Sequence, residues 1–188
     1  MMWYREAHRE WGEKPARPQA EPIRAYKFMR LNRPQTEEFG GHWSMTGSYG
    51  KTFYSPTMIA TCGSGQSHPA PDVDCTCGIY SQKLDNVHSG HDFHNEGTLC
   101  QLDLSGRVLK ATKGYKSQAA TVYKIWPGRE VLSDQDKYNI RRDLGVEVGD
   151  VPVLGSGGYN SYSDWRSLID NDPELHSQHL KEITSKEH

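Results

Sequence analysis

The chain has 188 residues, 35% hydrophobic and 24% charged, with a mean hydropathy of -0.81. That suits one domain with a modest core and plentiful loops, and its longest apolar runs (Met58-Ile59-Ala60, Val151 to Leu154) fall far short of the roughly 20 residues a membrane helix needs. Lys+Arg at 22 against Asp+Glu at 24 gives a formal net charge of -2, which argues against coating nucleic acid by charge alone.

Residues 1 to 21 are charged and proline-bearing, with no sustained period, and read as an extended arm carrying Trp3, Tyr4 and Trp11. The start is charged within five residues and runs into no apolar stretch, so no secretory signal and a cytoplasmic location are expected. Ile23 to Leu31 alternates partially, with Arg24 and Lys27 among apolar and aromatic residues, and predicts a strand. Asn32 to Gly50 reads as a loop with room for a short strand at its end. Thr52 to Ala60 reads as a second strand interrupted at Ser55-Pro56. Residues 61 to 77 hold almost nothing apolar, so this stretch needs something other than a core to order it. The clearest β signal runs from Leu99 to Leu109 and from Ala119 to Trp126, an antiparallel hairpin turning near Gly114. Ser133, with Asp134 and Asp136 behind it and Gly145 at the far end, frames a helix bearing Ile140 and Leu144 on one face. Gly155-Ser156-Gly157-Gly158 reads as a joint. Asp172-Pro173 then starts a helix with a weak stripe of Leu175, His179, Leu180 and Ile183.

Four cysteines without an export signal are expected to be thiols in a reducing compartment. Cys75 and Cys77, one residue apart, would be strained as a disulfide. Three of the four fall within sixteen positions in the pattern Cys62-x5-His68-x6-Cys75-x-Cys77. Three thiolates and one imidazole are the donor set that tetrahedral zinc prefers. Gly63, Gly65, Pro69 and Pro71 permit the turns that would bring these side chains together, and Gly78 leaves room beside the last sulfur. In an extended stretch, positions 75 and 77 share a face. Four protein ligands close the shell, so the expected zinc is structural rather than catalytic.

The segment Cys62 through Tyr80, with His68-Pro69-Ala70-Pro71 and Cys75-Thr76-Cys77-Gly78-Ile79-Tyr80, resembles a motif of an uncharacterised family from actinobacteria and their phages. In that family a Cys…His-x-Ala-Pro…Cys-x-Cys-Gly-Ile-Tyr segment precedes a hairpin, similar here to Leu102-Asp103-Leu104-Ser105-Gly106-Arg107-Val108 and Gly114-Tyr115-Lys116-Ser117-Gln118-Ala119. The resemblance spans roughly residues 23 to 154 and implies an actinobacterial or phage origin, with no established activity. Ser105, Lys116 and Gln118 stand where the family has Trp, Arg and Glu.

A second group, His88, His91, Asp92 and His94, could hold an open metal site that activates water, although its spacing matches no metallohydrolase pattern; the alternative is a solvated loop. Cys100 reads as a buried thiol. His176 and His179 read as exposed helix residues, and Lys110, Lys113 and Lys116 as a solvated cluster at the hairpin tip. Arg24, Lys27 and Arg30, interleaved with Tyr26 and Phe28, fit either a half-buried strand or a single-stranded nucleic-acid surface.

These readings combine into an α+β, sheet-dominated fold with a long antiparallel hairpin, a zinc-stabilised loop and C-terminal helices. Its parts are the arm 1–21, a domain 22–154, and a glycine joint with helical extension 155–188. The expected function is a non-enzymatic, zinc-stabilised binding module that engages a protein partner, as a host-interaction protein or minor virion component. The alternatives are a metal-dependent hydrolase working at His88, His91, Asp92 and His94, or a zinc protein binding nucleic acid through the loop and Arg24, Lys27 and Lys113.

Overall fold

The computed structural model describes residues 22–34, 41–47, 51–63, 68–89, 97–128, 132–150 and 162–184. The described strands form one eight-stranded sheet, and the fold is α+β with the sheet dominant. In chain order they are β1 (Ile23–Asn32), β2 (Ser44–Thr46), β3 (Thr52–Phe53), β4 (Thr57–Ile59), β5 (Ile79–Gln82), β6 (Gly97–Lys110), β7 (Gly114–Pro127) and β8 (Glu147–Val148). A 3-10 helix, Leu84–Ser89, follows β5. The α-helices are α1 (Asp134–Leu144), α2 (Tyr162–Asn171) and α3 (Pro173–Thr184).

β6 and β7 are the expected hairpin, fourteen residues to a strand, with the Ala111 amide donating to the Gly114 carbonyl across the turn. β1 runs antiparallel to β6 from Ile23↔Leu104 to Arg30↔Gly97. Its other edge takes β2 at one end and, through Tyr26↔Gln82, β5 at the other. Because β5 also pairs with β7, the ladder β1-β6-β7-β5 returns to β1. All these pairings are antiparallel; β8 alone joins in parallel, on β7. The stretch 52–60 is not one interrupted strand. β3 pairs with β2 and β4 with β7, so Ser55-Pro56 is where the chain leaves one partner for another.

Alternation along β1 sends Ala25, Met29 and Leu31 into one apolar cluster and Tyr26 and Phe28 into another. The first cluster is covered by α1 through Ile140 and Leu144, the second by Leu84, Val87, Leu168, Ile169 and Leu175. A sheet covered on both faces is what lets Thr98 to Leu102 be buried without interruption. A bulge keeps β7 in phase with this demand. Gln101 faces Lys124 and Leu102 faces Val122, so Tyr123 is the extra residue. Val122 and Ile125 therefore both reach the first cluster, while Tyr123 and Lys124 both meet Glu174 of α3.

α1 follows its caps. Ser133 accepts from the Asp136 amide, Asp136 reaches back to Ser133, and Gly145 ends the helix at φ 67°. α2 goes unread in the sequence. With α3 it docks on the sheet, so the helices beyond the glycine run are part of the second core; the run itself lies outside the described residues. No described helix is long and apolar enough to cross a membrane.

Candidate metal centre

β4 and β5 pair one after the other along the same edge of β7: Ile59 faces Ala119 and Ile79 faces Ser117. Two residues of strand span about 7 Å, so the chain between Ile59 and Ile79 must leave and re-enter the sheet at nearly the same place. Cys62 sits just past the exit, where the Ala60 amide donates to the Gln118 carbonyl. Cys75 and Cys77 sit just before the re-entry. Sheet topology thus brings the two halves of the cysteine pattern together before any metal is considered.

Cys62 Sγ lies 3.3 Å from His68 Nε2 and 3.7 Å from Cys75 Sγ. Cys77 Sγ is 3.9 Å from His68 Nδ1. One donor atom from each of Cys62, His68, Cys75 and Cys77 falls within 4.8 Å of every other, so the group can hold a metal ion. His68 Nδ1 lies 3.3 Å from the Pro69 carbonyl, which accepts the ring proton there and leaves Nε2 as the free donor. That same carbonyl is the main reason the imidazole is raised above its ordinary pKa. Cys75 and Cys77 are buried, whereas Cys62 and His68 are half-buried, so the group lies at the surface with its sulfurs turned inward. Burial raises the Cys77 thiol, and metal must displace that proton to bind.

Little apolar contact supports the loop. Ala70, Cys75 and Cys77, with Ala60 and Cys62 beside them, make one small cluster, and Val73 and Tyr80 pack on Leu109 and Ala111 near the hairpin tip. Polar ties add to this: the Tyr80 hydroxyl donates to the Thr76 carbonyl at 3.0 Å, and Lys116 reaches the loop from β7. Read as a solvated tip residue, it is instead fully buried on β7, with Nζ donating to the Asp72 carbonyl at 2.5 Å and to the Cys75 carbonyl. Burial holds its ammonium below the ordinary lysine range. The burial of Lys116 has a non-local cause: it faces away from Tyr115 and Ser117, and the loop folds over that face. Gly78 serves this packing. At φ 127° it takes a backbone that side chains rarely adopt, and a Cβ there would come within 2.7 Å of Lys116 Cγ and 3.0 Å of Pro71 Cβ.

The other candidates separate from this centre. Cys100 is fully buried in the first core, and burial pushes its thiol up to about 12, as suits an inert packing residue. His88 falls in the 3-10 helix, while His91, Asp92 and His94 lie outside the described residues. His179, expected to be exposed, is buried; its Nδ1 is 2.8 Å from Asp85 and its Nε2 is 2.9 Å from Arg166. It ties α3 and α2 to the 3-10 helix, a contact between remote segments that helix periodicity does not reveal. Arg24 pairs with Asp103 and Glu174 and lies over the Tyr123 ring, and Tyr26 and Phe28 are core residues. The aromatic side chains of that strand are therefore not available for stacking on bases.

No family model, curated protein or solved structure matches the chain.

Proposed function

We propose that the protein is a zinc-stabilised binding module, in which Cys62, His68, Cys75 and Cys77 hold one structural Zn²⁺ and the ordered loop presents a surface to a protein partner. One observation carries the zinc reading: one donor atom from each of the four residues lies within 4.8 Å of every other, with Cys62 Sγ 3.3 Å from His68 Nε2 and 3.7 Å from Cys75 Sγ. With Zn–S near 2.3 Å and Zn–N near 2.0 Å, a tetrahedron has edges of roughly 3.5–3.8 Å, so these side chains stand close to where a zinc shell requires them. Tris-thiolate, mono-imidazole ligation also suits zinc over hard cations that prefer oxygen.

A closed shell supports a structural role, because a catalytic zinc keeps one position for water or substrate. The binding role rests on what the ion does to the loop: it fixes an otherwise core-poor stretch, leaving Asp74 and Thr76 exposed beside the buried cysteines. The proposed partner is a protein, in keeping with the resemblance to phage and actinobacterial proteins, as a host-interaction or virion component.

Substitution with Co²⁺ tests the closed shell. The expected result is a tetrahedral cobalt spectrum with thiolate charge-transfer bands, saturating at one ion per chain and unmoved by azide or cyanide. A spectrum that shifts with those anions would mean an open coordination position, and would favour hydrolytic chemistry instead.

A further inference from the structure

The geometry points to a second role for Lys116: we infer that its buried ammonium is the counter-charge of the metal centre, and that its positive charge, rather than its bulk, sets how tightly a divalent ion is held. The inference rests on the zinc reading and adds a determinant of affinity to it.

Lys116 is 0% exposed. Its polar contacts are the carbonyls of Asp72 and Cys75, with the Tyr80 ring 5.6 Å from Nζ. Carbonyl dipoles solvate an ammonium but do not neutralise it, and a buried charge without an opposite charge is costly. Two other cations on this sheet have that partner. Lys124 meets Glu174 at 3.0 Å and Asp172 at 3.8 Å, and Arg24 meets Asp103 at 3.1 Å. Among the described residues no carboxylate makes such an ion pair with Lys116; the Asp72 side chain acts on it only at longer range.

The metal centre supplies what is missing. Three thiolates and a neutral imidazole around a divalent ion leave one net negative charge. One ammonium balances it, and this one is bonded to the carbonyl of a ligand residue, Cys75. The Asp72 carbonyl, its second acceptor, lies three residues before that ligand. The chain also gives up a side chain at Gly78 to let the lysine stem pass. Packing alone would be served as well by an uncharged stem that needs no carbonyl partners. With the charge present, the three thiolates are held together at lower electrostatic cost, and the ion that completes neutrality is a divalent one.

The test is Zn²⁺ affinity of the full chain, measured by competition with a chromophoric chelator, for the native sequence, Lys116→Met and Lys116→Arg. Methionine keeps much of the length and loses the charge; arginine keeps the charge and changes the shape. The expected order is native and Lys116→Arg within about threefold, and Lys116→Met weaker by about tenfold or more, the range seen when groups that support metal ligands are removed. A folded Lys116→Met that binds within about twofold of native would overturn the inference, as would Lys116→Arg binding as weakly as Lys116→Met. If Lys116→Met does not fold even with zinc, amine acetylation of the native chain decides. Lys116 protected only in the zinc-loaded protein supports the coupling of charge and metal; protection that survives chelation refutes it. A native chain that binds no zinc at all removes the zinc reading itself, and the counter-charge with it, at the first measurement.

Discussion

Cys75→Ser is expected to abolish metal binding and release the loop between β4 and β5 while leaving the sheet standing. The sulfur of Cys75 lies 3.7 Å from that of Cys62, and the carbonyl of the same residue holds Lys116. Its loss therefore removes a ligand and slackens the main polar tie of the loop to β7. The apolar contacts that remain, Val73 and Tyr80 on Leu109 and Ala111, are too few to order the segment alone. The two large cores do not include loop residues, so the far-ultraviolet signal of the sheet should persist. Loss of a structural metal belongs to the short list of changes that cost about 3 kcal/mol or more. In a chain of this size that lowers the melting midpoint by roughly 10 °C. Limited proteolysis should then cut within residues 60–78, and a chelator should make the native protein behave the same way while leaving the variant unmoved. A variant that melts and resists protease like the native chain would mean the loop is ordered without metal.

Trp126→Ala should cost at least as much, by a different route. Trp126 is fully buried in the second core among Tyr26, Phe28 and Leu99, with Leu168, Ile169 and Leu175 of the C-terminal helices packed in the same cluster. Its indole Nε1 donates to Asp172 at 2.9 Å. Asp172 in turn accepts the Glu174 and Leu175 amides at 3.0 and 3.1 Å, capping α3. The chain makes space for the ring at Gly149, where a Cβ would stand 2.3 Å from Nε1. Truncation leaves a cavity worth about 3–5 kcal/mol and strips the cap of its donor. Thermal unfolding should fall by roughly 10 °C or more. Hydrogen exchange should show α2 and α3 opening first, with metal content unchanged. Trp126→Phe, which keeps most of the volume, should lose far less. Equal stability of the alanine variant would mean the helices do not rest on this residue.

The two variants separate the parts of the molecule that the sequence makes visible from those it hides. β1, the hairpin and α1 are legible because their signals are local: alternation, a turn at Gly114, and the Ser133–Asp136 and Gly145 caps. The four donors are legible for the same reason, since soft ligands cluster in a stretch with no other means of order. Non-local packing is hidden. Lys116 reads as solvated until the loop is laid over it, and His179 reads as a surface residue until α3 is set against Asp85. α2 has too little pattern beyond the glycine run to announce itself, and the division of 52–60 into two strands depends on which partner each half meets. Gly78 shows both sides. Its place after Cys77 marks it as special, and the structure adds two reasons the sequence hides, the lysine stem beside it and its positive φ.

Metal content per chain by elemental analysis, paired with counting of reactive thiols, tests the central claim most directly. One zinc and no reactive thiol are expected in the native protein. Three thiols should appear on chelation, and a fourth, Cys100, only on unfolding, because it is fully buried in the first core. No metal, with the thiols of Cys62, Cys75 and Cys77 reactive from the start, would contradict it.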